Sequence, residues 1–171
     1  MSRGDKKKKP EKKEISWDEA VKMADFLFGI MQSDHFQPDY IIGISRGGYY
    51  PAILINTMMT AKWARIGYFD MEVDKDYPDK KRIRASSFHD TEDLDGKSVL
   101  LCEDDLQSGS TFIADREFLE KRGATVKTLS FFSHPESRID PDYTYMKNID
   151  FRPVFPWNAI QKKYFKISPK H

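Results

Sequence analysis

Two strand-length apolar runs, each broken by small or acidic residues that lead into a helix, constrain this chain more than any other feature. The first is Tyr40-Ile41-Ile42-Gly43-Ile44, followed by Ser45-Arg46-Gly47-Gly48. The second is Ser98-Val99-Leu100-Leu101-Cys102, which ends in Glu103-Asp104-Asp105 ahead of Ser108-Gly109-Ser110-Thr111. Continuous apolar runs without alternation suit parallel strands buried on both faces. Helical patterns lie between them. Ser16-Trp17-Asp18-Glu19 has the form of a capping box, and Ala20, Ala24, Leu27 and Met31 follow at three- and four-residue steps. A second helix is expected from about Tyr50 to Ala61 and a third from about Ser110 to Arg122, closed by Gly123. Further strands are expected near Ala64 to Met71, Ile83 to Phe88 and Thr125 to Phe132, with short strands and a final turn of helix completing the chain. Strands alternating with helices predict an α/β fold with a mostly parallel central sheet flanked by helices.

Composition narrows the function. Within 171 residues, 12 Phe, 8 Tyr and 3 Trp supply enough apolar area for one core. The single cysteine, Cys102, excludes a disulfide framework and a cysteine-rich zinc site. It reads as a buried strand residue with no base beside it, and not as a nucleophile. No run of about 18 apolar residues is present, so the expected address is the cytoplasm, with no membrane partner. Residues 1–14, MSRGDKKKKPEKKE, show no hydrophobic periodicity and read as a disordered basic tail, leaving 15–171 as the folded domain. One arginine and six lysines against three acids give that tail +4 in a chain of +1, so the remainder carries −3. A uniform nucleic-acid coat is therefore excluded, and only the tail offers a nucleic-acid contact.

Chemistry concentrates at the two strand ends, because ligands of open parallel sheets bind beyond the carboxyl ends of the strands. Ser108, Gly109, Ser110 and Thr111 form a small turn opening a helix, where backbone amides and hydroxyls can cradle a phosphate. Glu103 and Asp104 stand immediately upstream and can accept hydrogen bonds from sugar hydroxyls or hold Mg²⁺. At the earlier strand end, glycines allow close backbone approach, and Arg46 offers a planar fork for phosphate oxygens.

The second segment, from Val99 through Glu103-Asp104 to Ser108, Gly109 and Thr111, resembles the signature of the type I phosphoribosyltransferases. The loop at Ser45-Arg46-Gly47 resembles the pyrophosphate loop of their purine-type members. Ser133-His134-Pro135 and Val154-Phe155-Pro156-Trp157 are similar to the C-terminal part of the bacterial and archaeal xanthine, guanine and hypoxanthine transferases. The resemblance runs in order through most of residues 16–165. It implies the type I fold with a small C-terminal hood, and a purine-type transferase that uses Mg²⁺ and moves the phosphoribosyl group of phosphoribosyl pyrophosphate to a nucleobase. By position, Glu103 and Asp104 would hold the ribose and the metal, Ser108 to Thr111 the 5-phosphate, and Ser45, Arg46 and Gly47 the pyrophosphate. His134, Phe151, Arg152 and Pro153 would meet the base, with Arg46 and Gln107 as the catalytic positions. Related transferases commonly form homodimers, and one is expected here.

The departures from the family pattern gather on the base side. Gln107 stands where an acid is usual and cannot accept a proton at neutral pH. His134 replaces a lysine that meets the purine 6-oxo group, and Arg152 falls where an aromatic usually stacks, with Phe151 adjacent. Asp105 places a charge at an apolar position. Sliding the register by one would make Asp104 and Asp105 the acidic pair at the expense of a shorter phosphate turn, so the Glu103-Asp104 register is preferred. A non-catalytic binder of phosphoribosyl pyrophosphate or nucleotide with a diverged base pocket is the alternative. His89, Asp90 and Glu92 form a weak metal candidate, and Lys80-Lys81-Arg82 with Arg84 a candidate lid, on a polar stretch that starts at Asp74.

Overall fold

The computed structural model describes residues 10–44, 46–59, 65–73, 81–85 and 94–165. In chain order these form β1 (Lys12–Glu14), α1 (Trp17–Ser33), β2 (Tyr40–Ile44), α2 (Tyr49–Met58), β3 (Arg65–Val73) and β4 (Lys81–Ala85). They continue as β5 (Ser98–Leu106), α3 (Ser110–Glu120), β6 (Thr125–Ser133), β7 (Tyr143–Met146), β8 (Arg152–Val154) and α4 (Pro156–Phe165). The main sheet has the order β4-β3-β2-β5-β6-β7 and is parallel except for β4, which runs antiparallel to β3. The expected α/β architecture is present. The candidate lid enters β4 at Lys81 and Arg84, while Lys80, His89, Asp90 and Glu92 lie outside the described residues.

The two apolar runs form the sheet's centre. Val99 and Leu101 face α3 with Ile42, Ile44, Phe112 and Leu119, whereas Leu100 and Cys102 face α1, α2 and Trp157 of α4. Alternate side chains of a strand thus feed two separate cores, which is why neither run shows polar alternation. The capping box closes as expected: the Glu19 amide donates to Ser16 Oγ at 3.2 Å, and the Ser16 amide donates to Glu19 Oε2 at 2.7 Å. Ser16→Ala is expected to cost about 1 kcal/mol in a urea melt, with no change in ligand affinity.

Among the boundaries that differ from expectation, two bear on the site. The expected disordered tail, 1–14, includes an ordered strand: β1 pairs in parallel with β8, Lys12 opposite Arg152 and Glu14 opposite Val154. Arg152 N–H donates to the Glu11 carbonyl at 2.7 Å, and Ile15 N–H to the Val154 carbonyl at 3.0 Å. Buried Ile15 anchors the end of this segment. Three polar residues have no periodicity to read, so main-chain bonding decides their conformation. The second difference is that β5 runs through the acids to Leu106, paired with β6 as far as Ser133, beyond the expected strand end at Glu103-Asp104-Asp105. The acids therefore alternate faces. α2 and α3 end at Met58 and Glu120, shorter than expected by a turn or less.

Candidate functional site

The carboxyl ends of β2 and β5 lie side by side, and the residues that follow each strand fold around the acids. After β2 the chain turns back at once, with Gly48 N–H donating to the Ile44 carbonyl at 2.9 Å. A Cβ on Gly47 would collide with the Asp104 carboxylate, and one on Gly48 with the Cys102 carbonyl. The absence of side chains lets this loop press directly on β5. Arg46 stands exposed at its outer edge. Ser45 lies outside the described residues.

Beyond β5, Gly109 takes φ 72° as the N-cap of α3, a conformation that glycine adopts without strain. Ile113 N–H donates to its carbonyl at 2.9 Å. Ser108 Oγ and Ser110 Oγ lie 3.2 Å apart. Glu103, Asp105, Gln107, Ser108, Gly109 and Thr111 are among the residues lining a cavity of about 240 Å³ at this turn. Several amides at a helix start beside hydroxyls form an anion cradle.

The expected pair Glu103 and Asp104 does not share this cavity. Glu103 opens toward the turn at 108–111, whereas Asp104, 8% exposed, faces the other way and accepts from Trp157 Nε1 at 2.6 Å. Asp105 returns to the Glu103 side. Burial raises the Glu103 pKa well above the ordinary range, and the neighbouring Asp104 charge raises it further. Asp104 is raised by burial against the lowering effect of Trp157, and Asp105 by burial against His134. The thiol of Cys102 is pushed up by burial, in keeping with an inert strand residue. Among the described residues no three His, Cys, Asp or Glu form a metal-holding cluster.

A second cavity, of about 310 Å³, opens between the end of β5 and the β1–β8 pair. Asp104, Asp105, Gln107, Arg152 and Pro153 line it, and so does Lys12. Gln107 and Asp105 reach both cavities and join the two sites. Two of the expected base contacts stand elsewhere. Phe151 packs edge-on against Phe132 at 5.5 Å, beneath the Lys13 ammonium. His134 lines a neighbouring cavity, with Nε2 2.8 Å from Asp105 Oδ1. Sequence reasoning missed Lys12 and the Trp157 bond to Asp104. The Phe-Pro-Trp string pointed toward Trp157, but nothing in the basic run distinguished Lys12.

Three departures from the family pattern meet at the fourth, the Asp105 carboxylate. His134 approaches Asp105 Oδ1, Gln107 Nε2 donates to Asp105 Oδ2 at 3.4 Å, and the Arg152 charge acts on the same group. Residues scattered from 105 to 152 are therefore one coupled cluster.

Comparison with solved structures supports this topology. A purine phosphoribosyltransferase from Pyrococcus horikoshii superposes with a TM-score of 0.72 at 24% identity, over 86% of this chain and 93% of that one. A hypothetical protein from Neisseria gonorrhoeae with bound ppGpp gives 0.72 at 16% identity, over 94% and 96%. The xanthine-guanine-hypoxanthine phosphoribosyltransferase of Helicobacter pylori gives 0.70 at 14%, over 93% and 99%. No curated protein sequence matches the chain. Residues 14–161 match the phosphoribosyl transferase domain. With the glycine loop, the acidic strand and the phosphate turn in their family order, the chain belongs to the phosphoribosyltransferase domain family.

Proposed function

We propose that this protein transfers the phosphoribosyl group of phosphoribosyl pyrophosphate to a nucleobase and releases pyrophosphate. The observation that carries this reading is the placement of two anion devices, the Arg46 loop and the Ser108 to Thr111 turn, on either side of the acidic end of β5. A ligand with phosphate at both ends of a sugar would span them. The folded body is acidic overall, so such a polyanion is met by local amides and one guanidinium and not by a general positive field.

Within that reading the phosphate turn holds the 5-phosphate, and Glu103, facing the same cavity, accepts from the sugar hydroxyls. The Arg46 guanidinium stabilises the departing pyrophosphate as the bond from its oxygen to the anomeric carbon breaks. A base nitrogen forms the new bond to that carbon and releases its proton. Gln107 can orient the base but not remove this proton.

The donor set fits Mg²⁺: the acids offer only oxygen ligands, and burial without a counter-ion raises their pKa values. A cation would be held by Glu103 or Asp104 together with oxygens of the substrate, the usual arrangement for a Mg²⁺ that retains part of its shell. When bound, it neutralises charge on the pyrophosphate. No helix among the described residues is long and apolar enough to cross a membrane. We further infer a homodimer, which sedimentation would test.

The deciding experiment supplies Mg²⁺, phosphoribosyl pyrophosphate and a panel of purine and pyrimidine bases, and reads pyrophosphate release. Release with one class of base supports the transfer. Mg²⁺-dependent binding without release from any base would replace it with the binder. Gln107→Asp is expected to raise kcat with oxopurines about tenfold or more by supplying a proton acceptor. An unchanged rate would show that proton removal does not limit the reaction.

A further inference from the structure

The second cavity contains a cation that enters from the N-terminal strand. Successive residues of a strand face opposite sides. Lys13 places its ammonium 5.0 Å from the centre of the Phe151 ring, while Lys12 lines the cavity with Asp104, Asp105, Gln107 and Arg152. The main-chain bonds at Glu11 and Ile15 hold the strand at both ends. Lys12 is thus a side chain at a set position and not part of a loose tail.

Two residues that could meet a base carbonyl direct their donors at Asp105 instead. His134, which occupies the usual lysine position, has Nε2 engaged by Asp105 at 2.8 Å and lines a different cavity. The Gln107 amide turns its NH₂ toward Asp105 Oδ2, since its carbonyl would be repelled there, and presents an acceptor at its other end. Arg152 and Asn158 line the cavity as well and carry N–H donors of their own. Lys12 adds an ammonium with three donors, on a strand whose position the main-chain bonds set.

We propose that Lys12 recognises a carbonyl oxygen of the acceptor base, so that β1 forms a wall of the base subsite and selects oxo-substituted over amino-substituted bases. This rests on the transfer reading above. An amino group in the same place would meet an ammonium, donor against donor, and lose the interaction.

The test uses the full chain with Lys12→Met, Lys12→Arg and Lys13→Met. All three keep the main-chain bonds of β1. Because a charge-assisted hydrogen bond contributes about 1.5–3 kcal/mol, Lys12→Met is expected to raise KM for a 6-oxopurine about 10- to 100-fold. KM for phosphoribosyl pyrophosphate should stay unchanged. Lys12→Arg should recover most of the loss, and Lys13→Met should leave KM for the base unaltered. An unchanged base KM in Lys12→Met, or a wild-type preference for a 6-aminopurine, overturns the proposal.

If the wild type releases no pyrophosphate with any base, the transfer reading fails, and binding decides the role of Lys12. Titration with a 6-oxopurine nucleoside 5′-monophosphate should then show at least tenfold weaker binding in Lys12→Met. Equal affinity, or no binding by the wild type, overturns it.

Discussion

Gly47→Ala is expected to lower kcat/KM for phosphoribosyl transfer about 100-fold or more, while the protein still folds. The added methyl would fall on the Asp104 carboxylate, which is already held from its other side by Trp157. Either the carboxylate turns away or the loop lifts, and lifting the loop carries Arg46 with it. A displacement of about 1 Å at such a group is enough for the expected loss. Gly48→Ala provides the contrast. Its methyl would meet the backbone carbonyl of Cys102 and the backbone nitrogen of Ile44, which cannot turn aside, so that substitution should reduce stability as well as activity. Steady-state kinetics beside urea melts separate the two. Near-wild-type kcat/KM in Gly47→Ala would show that contact between loop and strand does not place Arg46.

What the sequence could reveal follows from which forces are local. The runs of β2 and β5 are legible because strands buried on both faces admit no polar alternation, and the Ser16 cap because its partners lie three residues apart. Gly109 is legible for the same reason: a single residue determines the turn. The facing of the acids is not local. β5 continues through Glu103, Asp104 and Asp105 because β6 pairs with it as far as Ser133, and this extension sends Glu103 and Asp104 to opposite sides. The same long-range pairing hides the meaning of the departures. Read along the chain, Asp105, Gln107, His134 and Arg152 suggest a base pocket losing its function. In space Gln107, His134 and Arg152 all act on the Asp105 carboxylate. Lys12 is hidden most completely, because a three-residue strand among lysines is defined only by the partner it pairs with.

Trp157→Phe is expected to destabilise the protein by about 3 kcal/mol at neutral pH in metal-free buffer, more than its packing alone would explain. Trp157 is fully buried, stacks on Tyr50 at 4.3 Å and on Phe155 at 4.5 Å, and donates to Asp104. Phenylalanine retains part of the stacking and removes the donor, leaving a buried carboxylate with one fewer partner. The sign of the pH dependence follows from the raised pKa of Asp104, in which burial outweighs the indole hydrogen bond. A carboxyl whose folded pKa lies above its unfolded value binds more protons when folded. Its contribution to stability is therefore greatest below the ordinary aspartate range and declines as pH rises toward and through the folded value. Removing the indole raises the folded value further, so the penalty of Trp157→Phe should be largest at neutral pH and shrink on acidification. Asp104→Asn removes the charge. In that background Trp157→Phe should cost its packing and a neutral hydrogen bond but lose the charge-assisted part and its pH dependence, a difference that a double-mutant cycle of urea melts at two pH values measures directly. Equal costs in both backgrounds would mean that the charge on Asp104 adds nothing to the 2.6 Å bond that holds the acidic strand against α4.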